Sequence, residues 1–213
     1  MPQGSYTEML GRLAANEALL RIYRSSSPHL RMRDRELILR FFALVRASPS
    51  GLRSPVKARP SPTPPLTHVL LCPPPPAPQA WLNEEIREFR DLPPKEVSRM
   101  TAVFERAIGL AWEIFGESAF RPVKLREEWT DTEGGRFEQG EVNVALWDTV
   151  MYSMAQHGPE QLLPHKEALL EAFVNFAADP KLRKLLVSQP KAVMARAEAW
   201  DAVLRATIAG EKR

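Results

Sequence analysis

RMRDRELILRFFAL, residues 31–44, is the stretch whose reading decides the fold. Its first five residues carry four charges, and its second half is an almost unbroken apolar run. It is either a phosphate-contacting surface or a core helix with a charged first turn. In Arg33, Asp34, Arg35 and Glu36 the signs alternate, which suits internal pairing at a helix start better than a track for phosphates. Asp34 is placed to cap the helix, and Leu37, Ile38, Phe41, Phe42, Leu44 and Val45 recur at helical spacing. The stretch reads as a structural helix that must bury its apolar face against other helices.

Working outward, helical periodicity continues on both sides. Towards the N-terminus, Ser5 and Glu8 have capping-box spacing, and Tyr6, Met9, Leu10, Leu13 and Leu20 follow along one predicted helix that ends at Ser25-Ser26-Ser27-Pro28. Residues 47–80 then break the pattern: eleven of the chain's twenty prolines fall there, with no Asp or Glu. Proline fixes φ and removes an amide donor, so this tract is predicted to be extended and disordered. Helical pattern resumes with Trp81, Leu82, Ile86 and Phe89. Pro93-Pro94 opens a longer helix with Val97, Met100, Phe104, Ala107, Ile108, Ala111 and Phe115 on one face and Gly116 as its stop.

Residues 121–140 read as a polar, glycine-containing loop. Asn143 can cap a helix carrying Trp147, Val150, Met151 and Met154, and further helices follow Pro164 and Pro190. The predicted class is all-α, an irregular helical bundle interrupted by a proline-rich disordered segment. Its parts are N-terminal helices at 1–46, a linker at 47–80 and a main helical module at 81–213. Phe41, Phe104, Ile108, Trp147 and Met151 are expected among the most buried residues.

Charge is unevenly distributed. Residues 1–80 carry eleven Arg or Lys against four Asp or Glu, whereas residues 81–213 carry eighteen against twenty-two. Ten of the eleven N-terminal cations are arginines, a residue whose guanidinium pairs bidentately with phosphate oxygens. Arg31, Arg33, Arg35 and Arg40 are therefore the candidates for a nucleic-acid or inter-domain contact. A single cysteine, Cys72, fits a reducing compartment. The sequence shows neither a secretion signal nor a run long and apolar enough for a membrane span, so a cytoplasmic location is expected.

Other chemistry is sparse. His68 and Cys72 have an H-x3-C spacing, but two ligands in a proline tract do not close a zinc site. His157 and His165 flank Gly158-Pro159 and read as helix-end histidines contacting terminal carbonyls; His29 follows Pro28 in a loop. R-P-S-P-T-P-P at 59–65 has the form of a ligand for an SH3-type groove. Glu84, Glu85, Glu127, Glu128 and Asp148 read as solvated helix and loop charges. No catalytic residue, metal ligand or cofactor site is assigned.

Three segments carry a family likeness: RMRDRELILRFFAL at 31–44, FGESAFR at 115–121 and NVALWDTVMYSMA at 143–155, with GSYTEMLGRL and AWLNEEIREF beside them. In this order and approximate spacing they resemble the C-terminal helical half of the GmrS-like domain of GmrSD-type modification-dependent restriction proteins. The likeness covers residues 4–46 and 80–200, with the proline tract as a departure. It implies a role in defence against foreign DNA. Full-length members pair an N-terminal domain of ParB/sulfiredoxin-like fold, associated with nucleotide use and a DGQQR-type motif, with an HNH-type nuclease domain in many cases. Neither a DGQQR sequence nor an Asp-His pair of HNH type occurs here, so the chain is expected to be a truncated or split, non-catalytic helical module. Its expected partner is a separately encoded nucleotide-using or nuclease domain, with DNA the second candidate. If such a domain normally covers this module, apolar surface around Tyr6, Leu10 and Leu13 should be exposed in its absence.

Overall fold

The computed structural model describes residues 4–28, 33–47, 78–124, 128, 130, 136–138, 140–179 and 190–210. Nine α-helices are seen among them: α1 (Ser5–Leu13), α2 (Glu17–Tyr23), α3 (Arg33–Ala47), α4 (Pro78–Glu88), α5 (Pro94–Phe115), α6 (Val144–Gln156), α7 (Pro159–Leu162), α8 (Lys166–Ala178) and α9 (Pro190–Ile208). Short 3₁₀ turns follow α5 at Gly116–Ser118 and α7 at Leu163–His165. The class is all-α. The linker at 47–80 lies largely outside the described residues, as do His68, Cys72 and the R-P-S-P-T-P-P segment. Its last residues, from Pro78 on, already belong to α4.

Helix α6 is the centre of the bundle, touching α3, α5 and α9. Its sequence is apolar nearly all round, and every residue from Ala145 to Met151 is buried, as expected of a helix enclosed by neighbours rather than lying on a surface. Asn143 caps it as the sequence predicts, its side chain accepting from the amides of Ala145 and Leu146. Pro94 occupies the first turn of α5, where its missing amide hydrogen costs nothing. Gly116, at φ +54°, ends that helix.

Around α6 the core is aromatic. Phe41 packs edge-on against Phe104 with ring centroids 5.5 Å apart, and Phe120 lies 4.8 Å from Trp147. Such pairs add to burial through their quadrupoles. Phe41, Phe104, Ile108, Trp147 and Met151 are all essentially inaccessible to solvent, as the periodicity predicts.

Four local expectations are corrected. Residues 5–24 form two helices, because Asn16 offers its side-chain oxygen to the Leu19 amide and starts a new one. Ser5 does not cap α1; Gly4 stands at the cap. The Ser5 hydroxyl instead both accepts from the Leu92 amide at 2.8 Å and donates to the Leu92 carbonyl at 3.0 Å. Asp34 lies within the first turn of α3, buried, its Oδ1 accepting from the Arg35 amide. Tyr6, Leu10 and Leu13 are covered rather than exposed, because α1 lays them against α3 and α5.

The loop at 121–140 also carries more than its polar composition suggests. Val123 and Phe137 form an isolated antiparallel bridge and are both buried. Flanking bonds run from the Lys124 amide to the Arg136 carbonyl and from the Glu138 amide to the Pro122 carbonyl.

The two Ser5 bonds make a first prediction. Ser5→Ala should cost about 1–2 kcal/mol, since it leaves a part-buried Leu92 amide without its acceptor. Chemical denaturation reads this directly, and a midpoint unchanged from wild type would contradict it.

Candidate functional site

The arginines of α3 separate into distinct roles. Arg31 lies outside the described residues. Arg33 is exposed and pairs with Glu141. Arg35 is half-buried, with its guanidinium laid across α1 about 3.5 Å from where a Cβ of Gly11 would stand. Arg40 points inward: its Nε donates to Asp148 Oδ1 at 3.1 Å and its Nη2 to Asp148 Oδ2. This is the fork-on-carboxylate geometry of a strong charge-assisted pair. With Arg40 only 9 % and Asp148 only 1 % accessible, the guanidinium is a tie between α3 and α6. It is not a surface for phosphate.

Asp148 therefore sits at a buried junction. Burial pushes its carboxyl above the usual carboxylate range, and the Arg40 guanidinium opposes that shift through hydrogen bonding and charge. Arg196, buried on α9, adds a second positive field. One residue earlier, Trp147 donates its indole N–H to the Leu37 carbonyl at 2.9 Å and faces Phe120. Phe120 holds φ +61°, a strained backbone conformation for a bulky residue that its packing must maintain. The three segments of the resemblance, at 31–44, 115–121 and 143–155, thus meet around Trp147 and Asp148.

Arg121, the last residue of FGESAFR, ties loops together. It donates from Nε to the Glu117 carbonyl at 2.8 Å, from Nη2 to the Ile22 carbonyl at 3.1 Å, and from Nη1 to the Gly140 carbonyl. It is buried among these acceptors, and burial pulls its affinity for the proton down.

A second buried network joins α1, α3 and α4. Tyr6 donates its hydroxyl to Glu85 Oε1 at 3.3 Å, and Arg46 Nε lies 3.2 Å from the same oxygen. The Arg46 guanidinium also covers the Phe89 ring, 3.3 Å from its centroid, a cation–π contact. Burial raises the Glu85 carboxyl, with Arg46 pulling the other way, and burial beside Glu85 raises the Tyr6 phenol well above its ordinary value.

Two sequence expectations about acids and bases change as a result. Glu85 and Asp148, read as solvated charges, are core residues held by arginines. His157 ends α6, but its ring meets the Asp201 carboxylate at 3.2 Å instead of a terminal carbonyl. Glu128 is exposed as expected; His29 and Glu127 lie outside the described residues. No signal within one helical turn marks Glu85 or Asp148 as buried, because their partners lie 39 and 108 positions away.

Among the described residues, no group of three or more His, Cys, Asp or Glu side chains is arranged to hold a metal ion, and no helix is long and apolar enough to cross a membrane. Comparison of the chain with family models, curated proteins and solved structures finds no match.

The Glu85 network carries a pH prediction. Because its folded-state affinity for the proton is raised, the stability linked to Glu85 is fully present below the unfolded value, about pH 4.3. That contribution is lost as pH rises through the folded value. Glu85→Gln keeps an acceptor for Tyr6 and removes the titration. Its denaturation midpoint should therefore decline less between mildly acidic and neutral pH than the wild type's. Parallel profiles would contradict the assignment.

Proposed function

We propose that this chain is the non-catalytic helical module of a GmrSD-type restriction system. In this reading it supports foreign-DNA defence as the partner of a nucleotide-using or nuclease domain encoded elsewhere. The observation that carries the reading is the convergence of the three resemblance segments on Trp147 and Asp148. The first and last of these segments meet through contacts that span 108 and 110 positions, and the middle one packs on the same tryptophan, which supports reading the three as parts of one unit. Three of the arginines are occupied as ties, Arg40 on Asp148, Arg46 on Glu85 and Arg121 on three carbonyls, which supports the non-catalytic part of the reading.

The test mixes the purified chain with a separately produced DGQQR-type domain and measures mass by light scattering, alongside DNA affinity at two salt concentrations. A defined complex is expected, without nucleotide or DNA turnover by the helical chain alone. DNA binding by the chain alone that falls steeply with salt would favour a free-standing nucleic-acid-binding protein using the basic N-terminal third. Nucleotide or DNA turnover would contradict the non-catalytic reading outright.

A further inference from the structure

A groove of about 480 Å³ runs between the turn joining α1 to α2 and the first half of α5. It shares no residue with the Asp148 junction and does not depend on the family reading. Leu13, Ala15, Val97 and Ala102 give it an apolar lining, and its charges are one cation, Arg12 on α1, and one carboxylate, Glu105 on α5. Both are exposed, and among the described residues neither side chain has an ion-pair or hydrogen-bond partner. The exposed arginines Arg21, Arg24 and Arg33, by contrast, each pair with a carboxylate of this chain.

The groove opens onto the outer face of α5. At 3.6 residues per turn, Ser98, Ala102, Glu105, Gly109 and Trp112 fall on one side of that helix, turned away from the buried Phe104, Ala107 and Ala111. Glycine inside a helix is less favourable than alanine, yet a Cβ built on Gly109 meets nothing within 4 Å. No neighbour in this chain therefore requires a glycine there, whereas a second surface laid close against α5 does. Two turns beyond Glu105, Trp112 is half-buried, with the Arg21 guanidinium 5.7 Å from its ring centroid. Tryptophan and arginine are the residue types that anchor protein–protein contacts.

Charge decides what covers this face. A nucleic acid would set phosphates against Glu105, but a surface with one unpaired charge of each sign can satisfy itself. In an isologous pair the same patch meets itself, and residue i of each copy contacts residue j of the other. We propose that two copies of this chain pair through the groove and the outer face of α5, antiparallel about a two-fold axis near Glu105. Each Arg12 then meets the other copy's Glu105. Positions equally far on either side of Glu105 oppose one another, so Gly109 lies over Thr101 and Trp112 over Ser98 at the mouth of the facing groove. The α5 face from Ser98 to Trp112 is about 21 Å long, small for a stable interface, so the dimer is a weak one.

The test is sedimentation velocity on the full chain over a concentration series reaching about 1 mM. The wild type should pass from monomer to dimer and no further, because a two-fold interface is closed. Arg12→Glu and Glu105→Arg should each weaken the dimer by about tenfold or more, since each sets like charges across the axis. Both positions are exposed, so neither variant threatens the fold. An equimolar mixture of these two variants should dimerise at least as well as wild type, because every cross-axis contact again joins opposite charges. Gly109→Gln adds a side chain into open space in the monomer, so its denaturation midpoint should equal or exceed that of wild type while the dimer is lost. A monomer at every concentration would overturn the proposal. So would a dimer indifferent to both charge variants, a mixture that fails to recover, or a Gly109→Gln chain that still pairs.

Discussion

Asp148→Ala is expected to lower the unfolding free energy by about 3–5 kcal/mol, read as the shift in denaturant midpoint at constant slope. The carboxylate is 1 % accessible and accepts two bonds from Arg40. Removing it strands a guanidinium that is only 9 % accessible, and also removes a carboxylate whose charge acts on Arg196. A buried ion pair need not be net stabilising against an apolar pair, but breaking one side of it is costly. Asp148→Asn keeps the shape and one acceptor, so it should lie between wild type and the alanine variant. A loss below about 1 kcal/mol for alanine would mean that Arg40 finds water, and that the junction is not sealed.

The second large effect is expected at Trp147. Trp147→Ala should cost about 3–5 kcal/mol from lost burial and the cavity left behind, and it also removes the indole N–H bond to the Leu37 carbonyl. The indole separates Phe104 from Phe120, so its loss removes the packing that holds Phe120 at positive φ. The backbone around 115–121 should then relax, visible as faster amide exchange across that segment than elsewhere in the bundle. Trp147→Phe retains much of the volume and loses one hydrogen bond to a carbonyl that keeps its helical partner, so its cost should be nearer about 1–2 kcal/mol. Equal costs for alanine and phenylalanine would show that packing at this position contributes little.

What could be read from the sequence is what neighbours within one or two turns determine. The Asn143 cap, the Pro94 start, the Gly116 stop and the core positions Phe41, Phe104 and Trp147 all follow from local chemistry and periodicity, and the structure shows each of them. The errors arise where a side chain has a choice. Ser5 could cap its own helix or bond Leu92, 87 residues away, and the tertiary partner wins. Asn16 could continue a helix or cap the next, and the run of apolar residues on both sides of it hides the break. Arg40, Glu85 and Asp148 are charged residues at positions the periodicity leaves ambiguous. Their burial depends on finding a partner on another helix, which no local rule supplies. His157 and Asp201 are likewise 44 positions apart, so only the fold brings them together.

The measurement that bears most directly on the account is a double-mutant cycle across the central junction, with Arg40→Met, Asp148→Leu and the pair together. If α3 and α6 are joined by this buried ion pair, each single variant leaves an unmatched charge or an unmatched apolar group, and the double variant should recover much of the loss. The predicted coupling is about 2–3 kcal/mol. Costs that add to within about 0.5 kcal/mol would contradict the account, because independent sites behave that way and a shared, water-excluded junction does not.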